Sequence, residues 1–212
     1  LKKRSLPQIL KSKNNGTVQD ISSWISRREE IKSLLCSEFC GRFPGIAYKT
    51  EGRQVLMEED AYGGKAVVKT ISLGILSDYS YASFPYRLML PKNAERPPLF
   101  IYLAFTPEIA DGIGEEILDA GYGVASVYYQ DITADCYDEH QSGLGRFCTR
   151  NRFDSWGKVA MWAWGAGRIL DDILKREEAD AGRIAIMGHS RLGKAALLAG
   201  AFDERFSLTA AN

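Results

Sequence analysis

Gly188-His189-Ser190-Arg191-Leu192-Gly193-Lys194 is the stretch of this chain whose residue types and spacing could do chemistry. It stands between the apolar run 183–187 and the Ala/Leu-rich run 195–201. A short apolar strand, a sharp turn with a serine at its tip, and then a helix make a nucleophile elbow. In that layout the serine Oγ clears the sheet, and the amides opening the next helix point to where an acyl oxyanion would form. The chemistry implied is attack on an ester, with Ser190 as the attacking group.

The match to G-x-S-x-G is incomplete. Leu192 stands where the second glycine belongs and Gly193 follows one place later, so a bulky residue here needs a differently relaxed turn. Gly188 to Ala195 also fits the phosphate-loop template G-x-x-x-x-G-K-[ST], except that Ala195 replaces the hydroxyl residue that ligates Mg²⁺. The interior His-Ser-Arg-Leu is bulky for a phosphate cradle, and no apolar strand ends in a second-site Asp, so that reading ranks below the esterase. A strand-turn-helix with a purely structural role is the third reading.

A serine hydrolase also needs a base and a group to orient it, in the order Ser, acid, His. No His follows Ser190. Asp203 and Glu204 come too soon, at the end of the elbow helix. His189 adjoins the serine, but neighbouring side chains on a tight turn diverge, so it reads as a structural or pocket-lining residue. His140 lies in a loop and would reach the serine only through an unusual arrangement. The expectation is a chain that stops inside the fold, with the acid and histidine beyond Asn212. An uncovered sheet edge would then favour aggregation or self-association.

Several elements must position the elbow. Lys2 to Gly16 is polar and reads as an irregular arm, so 1–16 is expected to be an appendage to one domain spanning 17–212. Thr17-x-x-Asp20 reads as the start of a helix running to about Phe39, with Ile21, Trp24, Ile25, Ile31, Leu34 and Leu35 on its inner face. Its charged segment Arg27-Arg28-Glu29-Glu30 reads as solvated surface. Alternation predicts strands over 65–76 and 84–90, and the unbroken run 99–105 predicts a strand covered on both faces. A helix over 113–120 closes at Gly121, and a strand follows over 123–129. The stretch 130–154 has no periodicity, as expected of a binding loop. Asp154-Ser155 then caps a helix from Trp156 to about Lys175, in which Trp162 and Trp164 face different directions and read as core. After the elbow, 206–211 predicts one more strand. The fold class is α/β: a mixed, mostly parallel sheet with an antiparallel start and helices on both faces.

Composition narrows the function classes. Lys+Arg and Asp+Glu are 27 each in 212 residues, and this zero net charge argues against nucleic-acid partners, which need a positive field. No run approaches the ~20 apolar residues of a membrane span. The basic start Leu1-Lys-Lys-Arg has no apolar stretch after it, so it does not read as a signal peptide; the chain also lacks an initiator Met, and a secreted protein with a processed start stays open beside a cytoplasmic one. Cys36, Cys40, Cys136 and Cys148 are too few for a disulfide scaffold, and no Cys/His spacing suggests a metal.

Gly-x-Ser-Arg-x-Gly-Lys, followed by Ala195-Ala-Leu-x-Ala-Gly-Ala201 and Asp203-Glu-Arg205, resembles the elbow of the glucuronoyl esterases. Trp156-Gly-x-x-Ala-x-Trp-Ala-Trp-Gly165, continuing to Arg168 and Asp171, is similar to the segment before that elbow in bacterial members. Trp24-x-x-Arg-Arg-x-Glu-Ile31 and Gly41-x-x-Pro44 are similar to their N-terminal helix and its exit. The resemblance implies an α/β-hydrolase fold and cleavage of the ester joining 4-O-methyl-glucuronic acid side groups of xylan to lignin alcohols, with no metal or organic cofactor. It implies Ser190 as nucleophile, Arg191 at the oxyanion and Lys194 on sugar hydroxyls. General chemistry agrees with these roles: a permanent cation beside a developing O⁻ is useful, and a lysine one helical turn on reaches a bound acyl group. The alternatives are another carbohydrate esterase, such as an acetyl xylan esterase, and an inactive hydrolase-like binding domain.

Overall fold

Seven strands form one sheet in the order β1-β2-β3-β5-β4-β6-β7. The computed structural model describes residues 6–13, 16–109, 112–147 and 154–212. The strands are β1 (Lys49–Asp60), β2 (Ala66–Leu76), β3 (Tyr81–Pro91), β4 (Leu99–Ala104), β5 (Gly123–Tyr128), β6 (Ile184–Gly188) and β7 (Leu208–Ala211). The helices are α1 (Ile21–Leu35), α3 (Ile113–Asp119), α5 (Lys158–Arg176) and α6 (Arg191–Phe202), with the one-turn segments α2 (Ala61–Gly64) and α4 (Tyr129–Ile132).

β1, β2 and β3 pair antiparallel, and β3 joins β5 in the same sense; β5, β4, β6 and β7 run parallel. The parallel strands β4, β5 and β6 are short and apolar because helices cover both faces, which removes the need for alternation. Ile101, Val124, Ala125, Ile184 and Ile186 are all fully buried. In β2 and β3 the alternation sends Ile71, Leu73, Ile75, Phe84, Tyr86 and Leu88 into the main core. α5 is buried along 160–170, and Gly165 lets it approach α4, since a Cβ there would sit 2.7 Å from Ile132 Cγ2.

Several expectations need correction. β1 is a twelve-residue strand that the sequence pattern does not announce, because it lies at the sheet edge with almost every residue solvated. Helix α1 is capped by Asp20, not Thr17: Asp20 Oδ1 accepts from the Ser23 amide at 2.7 Å, and Ser23 Oγ accepts from the Asp20 amide at 3.1 Å. None of the apolar residues of α1 is buried. Leu35 at its end packs partly buried against the main core. Glu30 accepts from Ser12 Oγ at 2.8 Å and the Lys13 amide at 3.1 Å, tying the arm to the helix, and Arg28 of its charged segment donates to Ala201 O at 2.7 Å and pairs with Glu204 at 2.5 Å. The reason is the open carbonyl end of α6, which attracts a cation more strongly than it could attract an apolar face. Finally, α5 starts at Lys158 behind Gly157 and has no side-chain cap, so Asp154-Ser155 do not serve as one.

Among the described residues no helix is long and apolar enough to cross a membrane, and no His/Cys/Asp/Glu group has metal-site spacing. Cys40 is buried, Cys36 half-buried and Cys136 exposed. Cys148, part of the arm and the end of the 130–154 loop lie outside the described residues.

Candidate active site

Strand β6 delivers the chain to a bend at Ser190, where φ is 56° and ψ is −120°. A non-glycine residue there is strained by ~1–3 kcal/mol and persists only if its surroundings over-determine it. They do. The Ser190 amide donates to Asn212 O at 2.7 Å, the Leu192 amide to His189 O at 2.9 Å, and the Lys194 amide to Ser190 O at 3.2 Å. The bend also needs two residues without side chains. A Cβ on Gly188 would overlap Leu192 O, and one on Gly193 would lie 2.8 Å from Asn212 O. Leu192 turns its side chain fully into the core, and Gly193 takes the close approach that the second glycine of the usual pattern makes.

Ser190 is exposed at the crest, and no group among the described residues hydrogen-bonds its Oγ. Behind it the Arg191 amide opens α6 and meets no acceptor among the described residues. An exposed hydroxyl beside an unclaimed helix-opening amide is the arrangement that binds a tetrahedral oxyanion.

The Arg191 side chain is not a free cation. Its Nη1 pairs with Asp135 Oδ2, on the loop that follows β5 and α4. Tyr129 Oη donates to the same carboxylate oxygen at 3.4 Å. Burial first, and then Asp135, raise the Tyr129 hydroxyl, so it stays a donor. Phe105 follows β4 and packs edge-on against Tyr129, with centroids 5.4 Å apart. Lys194 is exposed one turn into α6 and pairs with no carboxylate among the described residues.

Neither histidine hydrogen-bonds Ser190 Oγ among the described residues. His189 Nδ1 shares a hydrogen bond with Asn212 Oδ1 at 2.8 Å, and its ring lies edge-on to Phe105 at 6.4 Å. His140 sits at φ 62°, its amide donating to Asp138 Oδ1 at 3.2 Å. Asp203 and Glu204 lie beyond the far end of α6, engaged with Arg205 and Arg28. At 1.5 Å per residue that twelve-residue helix separates them from the elbow by about 18 Å.

The 130–147 loop is tied down rather than loose. Asp138 accepts from Lys158 Nζ at 2.6 Å and from the Ser142 amide at 3.0 Å, and Trp162 Nε1 donates to Thr133 O at 3.1 Å. These anchors fix Asp135 opposite the elbow. Asp135, Tyr129, Phe105 and Asn212 were missed by sequence reasoning. The one signal that could have found the first three is position, since ligands meet a parallel sheet at the carboxyl ends of its strands.

This arrangement has known counterparts. Residues 75–212 match a family model described as glucuronyl esterase, fungi. A 4-O-methyl-glucuronoyl methylesterase of Wolfiporia cocos is 31% identical over 92% of this chain and 46% of its own length. A carbohydrate esterase of an unknown prokaryotic organism is 26% identical, covering 99% of this chain and 58% of the relative. A solved glucuronoyl esterase from Solibacter usitatus superposes with a TM-score of 0.84 at 31% identity, over 96% of this chain and 62% of that one. A promiscuous CE15 esterase from a marine bacterial metagenome gives 0.83 at 25% identity, over 99% and 63%. The chain thus spans about half to three fifths of the length of these relatives. It shares their α/β-hydrolase fold, with the antiparallel start and parallel remainder expected from sequence.

Proposed function

This chain belongs to the glucuronyl esterase family, and we propose from that premise that it works as a carboxylic-ester hydrolase on 4-O-methyl-glucuronoyl esters of xylan side groups. Ser190 Oγ attacks the ester carbonyl carbon, and its proton passes to a base. The carbonyl π electrons move onto oxygen, where the Arg191 amide and guanidinium receive the O⁻. Collapse of the tetrahedral intermediate breaks the bond to the alcohol, which leaves with the proton. Water then cleaves the acyl-enzyme and releases the glucuronate. Lys194 donates to hydroxyls of the bound sugar. Neither described histidine hydrogen-bonds Ser190 Oγ, so this reading names no residue as the base.

The observation that carries this reading is Ser190 itself, exposed and strained at φ 56° beside an unclaimed amide. Backbone strain of this kind concentrates at functional sites. The names of the relatives supply the substrate class: several are 4-O-methyl-glucuronoyl methylesterases.

A fluorophosphonate probe tests it. Labelling at Ser190, lost in Ser190→Ala, supports the nucleophile; turnover of methyl glucuronoyl esters well above that of acetylated xylan supports the substrate. Faster turnover of acetyl esters points to a different carbohydrate esterase. No labelling, with glucuronoyl esters still bound, points to a hydrolase-like binding domain.

A further inference from the structure

Arg191 is held at one end only. Its Nη1 is paired with Asp135, while no acceptor among the described residues takes Nε or Nη2. Asp135 is in turn aimed by Tyr129, whose ring is pinned among Phe105, Tyr128 and Trp162 at centroid distances of 5.4, 5.4 and 5.0 Å. A buried aromatic thus holds a carboxylate that holds a cation at the elbow, though the Arg191 side chain itself stays 53% exposed.

The reaction presents this cation with two anions at nearly the same place. The tetrahedral oxyanion stays covalently attached to the serine and needs donors correctly aimed. The carboxylate product is unattached, and its carboxylate is held at Arg191 by charge. An isolated guanidinium would serve the first and trap the second.

We propose that Asp135 is a positioning residue that holds Arg191 by one nitrogen, leaving Nε and Nη2 for the reacting oxygen, and offsets its charge so that the carboxylate product is not retained. This rests on the reading of Ser190 as the nucleophile. Tyr129 contributes aim but no charge, so the two effects separate by substitution.

The experiment is a calorimetric titration of the purified chain with glucuronate, which needs no turnover, alongside the rate of phosphonate labelling at Ser190. Asp135→Asn binds glucuronate about threefold tighter, the factor that one partly exposed ion pair supplies. It also slows labelling roughly tenfold, because the donors lose their aim. Asp135→Glu keeps the charge and restores most of the labelling rate. Tyr129→Phe slows labelling and leaves glucuronate affinity where it was. Where ester turnover is measurable, the loss in Asp135→Asn falls on kcat and not on KM.

Glucuronate affinity that is unchanged or weaker in Asp135→Asn overturns the proposal, as does tighter binding in Tyr129→Phe. A wild-type chain that is never labelled at Ser190, or labelling undiminished in Arg191→Gln, counts instead against the esterase mechanism. Even then the titration still decides whether Asp135 offsets the charge of Arg191.

Discussion

The two halves of the sheet differ in what their strand ends share. In β4 to β7 every strand runs the same way, so Phe105, Tyr129, Ser190 and Asn212 all emerge on one rim. In β1 to β3 the strands alternate, their ends are split between two rims, and no candidate site residue comes from them. The antiparallel half is fastened by a buried polar junction instead. Tyr86 donates to Asp172 at 2.5 Å, Arg176 Nε to Asp172 at 2.6 Å, and Arg176 Nη2 to Gly52 O at 2.7 Å. Strand direction therefore places the chemistry, not strand length: β1 has twelve residues and none of the site, while β6 has five and leads into its centre.

If this contrast is right, damage to each half has a different signature. The largest effect is on the parallel rim: Ser190→Ala should lower esterase turnover or probe labelling by about 10³-fold or more while leaving the urea midpoint unchanged. The antiparallel half should fail the other way. A Cβ at Gly52 would overlap the buried Asp172 carboxylate, so Gly52→Ala should cost about 3 kcal/mol in urea unfolding, yet leave labelling of the folded fraction intact. Equal loss of labelling would mean that the halves are coupled.

A smaller effect sharpens the strain at the crest. Ser190→Gly removes both the hydroxyl and the penalty of φ 56°. It should raise stability by about 1 kcal/mol while abolishing labelling. A neutral or lower urea midpoint would mean that the crest is not strained.

The loop that carries Asp135 gives a pH test. Burial would raise the Asp138 carboxyl, but Lys158 and Ser142 overcome it and leave it well below the ordinary carboxylate range. A depressed folded value means that its contribution is complete above the unfolded value of about 3.9 and is lost as pH falls toward and through the folded value. Stability measured from pH 5 downward should therefore decline less steeply in Asp138→Asn, by on the order of 1 kcal/mol across that range.

The least perturbing check concerns thiols. Burial, then the neighbouring Cys36, push the Cys40 thiol up to about 12. At pH 8 a disulfide reagent should modify exposed Cys136 promptly and Cys40 only on unfolding.

Legibility followed burial. Strands β2, β3, β4, β5 and β6 and helices α3, α5 and α6 were readable because one or both faces are buried, which imprints a period or an apolar run. β1 left no such imprint, since its pairing with β2 is made by backbone groups while its side chains stay in water. Helix α1 misled in the opposite sense: its apolar spacing promised a buried face, but none of that face is fully buried, and Leu35 at its end and Arg28 make its contacts with the core and α6. The elbow is legible as Gly188, Ser190 and Gly193; the inward turn of Leu192 is not, because it depends on the core behind it.

By itself, then, the amino-acid order determined the α/β class, the elbow and the identity of its serine, arginine and lysine. These are local matters of spacing, glycine placement and apolar periodicity. Only the tertiary structure decided that Asp135, fifty-six residues before Arg191, stands against it, and that a twelve-residue strand forms the sheet edge beside β2. Ion pairs and backbone ladders between distant segments leave no period in the chain, because they depend on where the folded loops arrive.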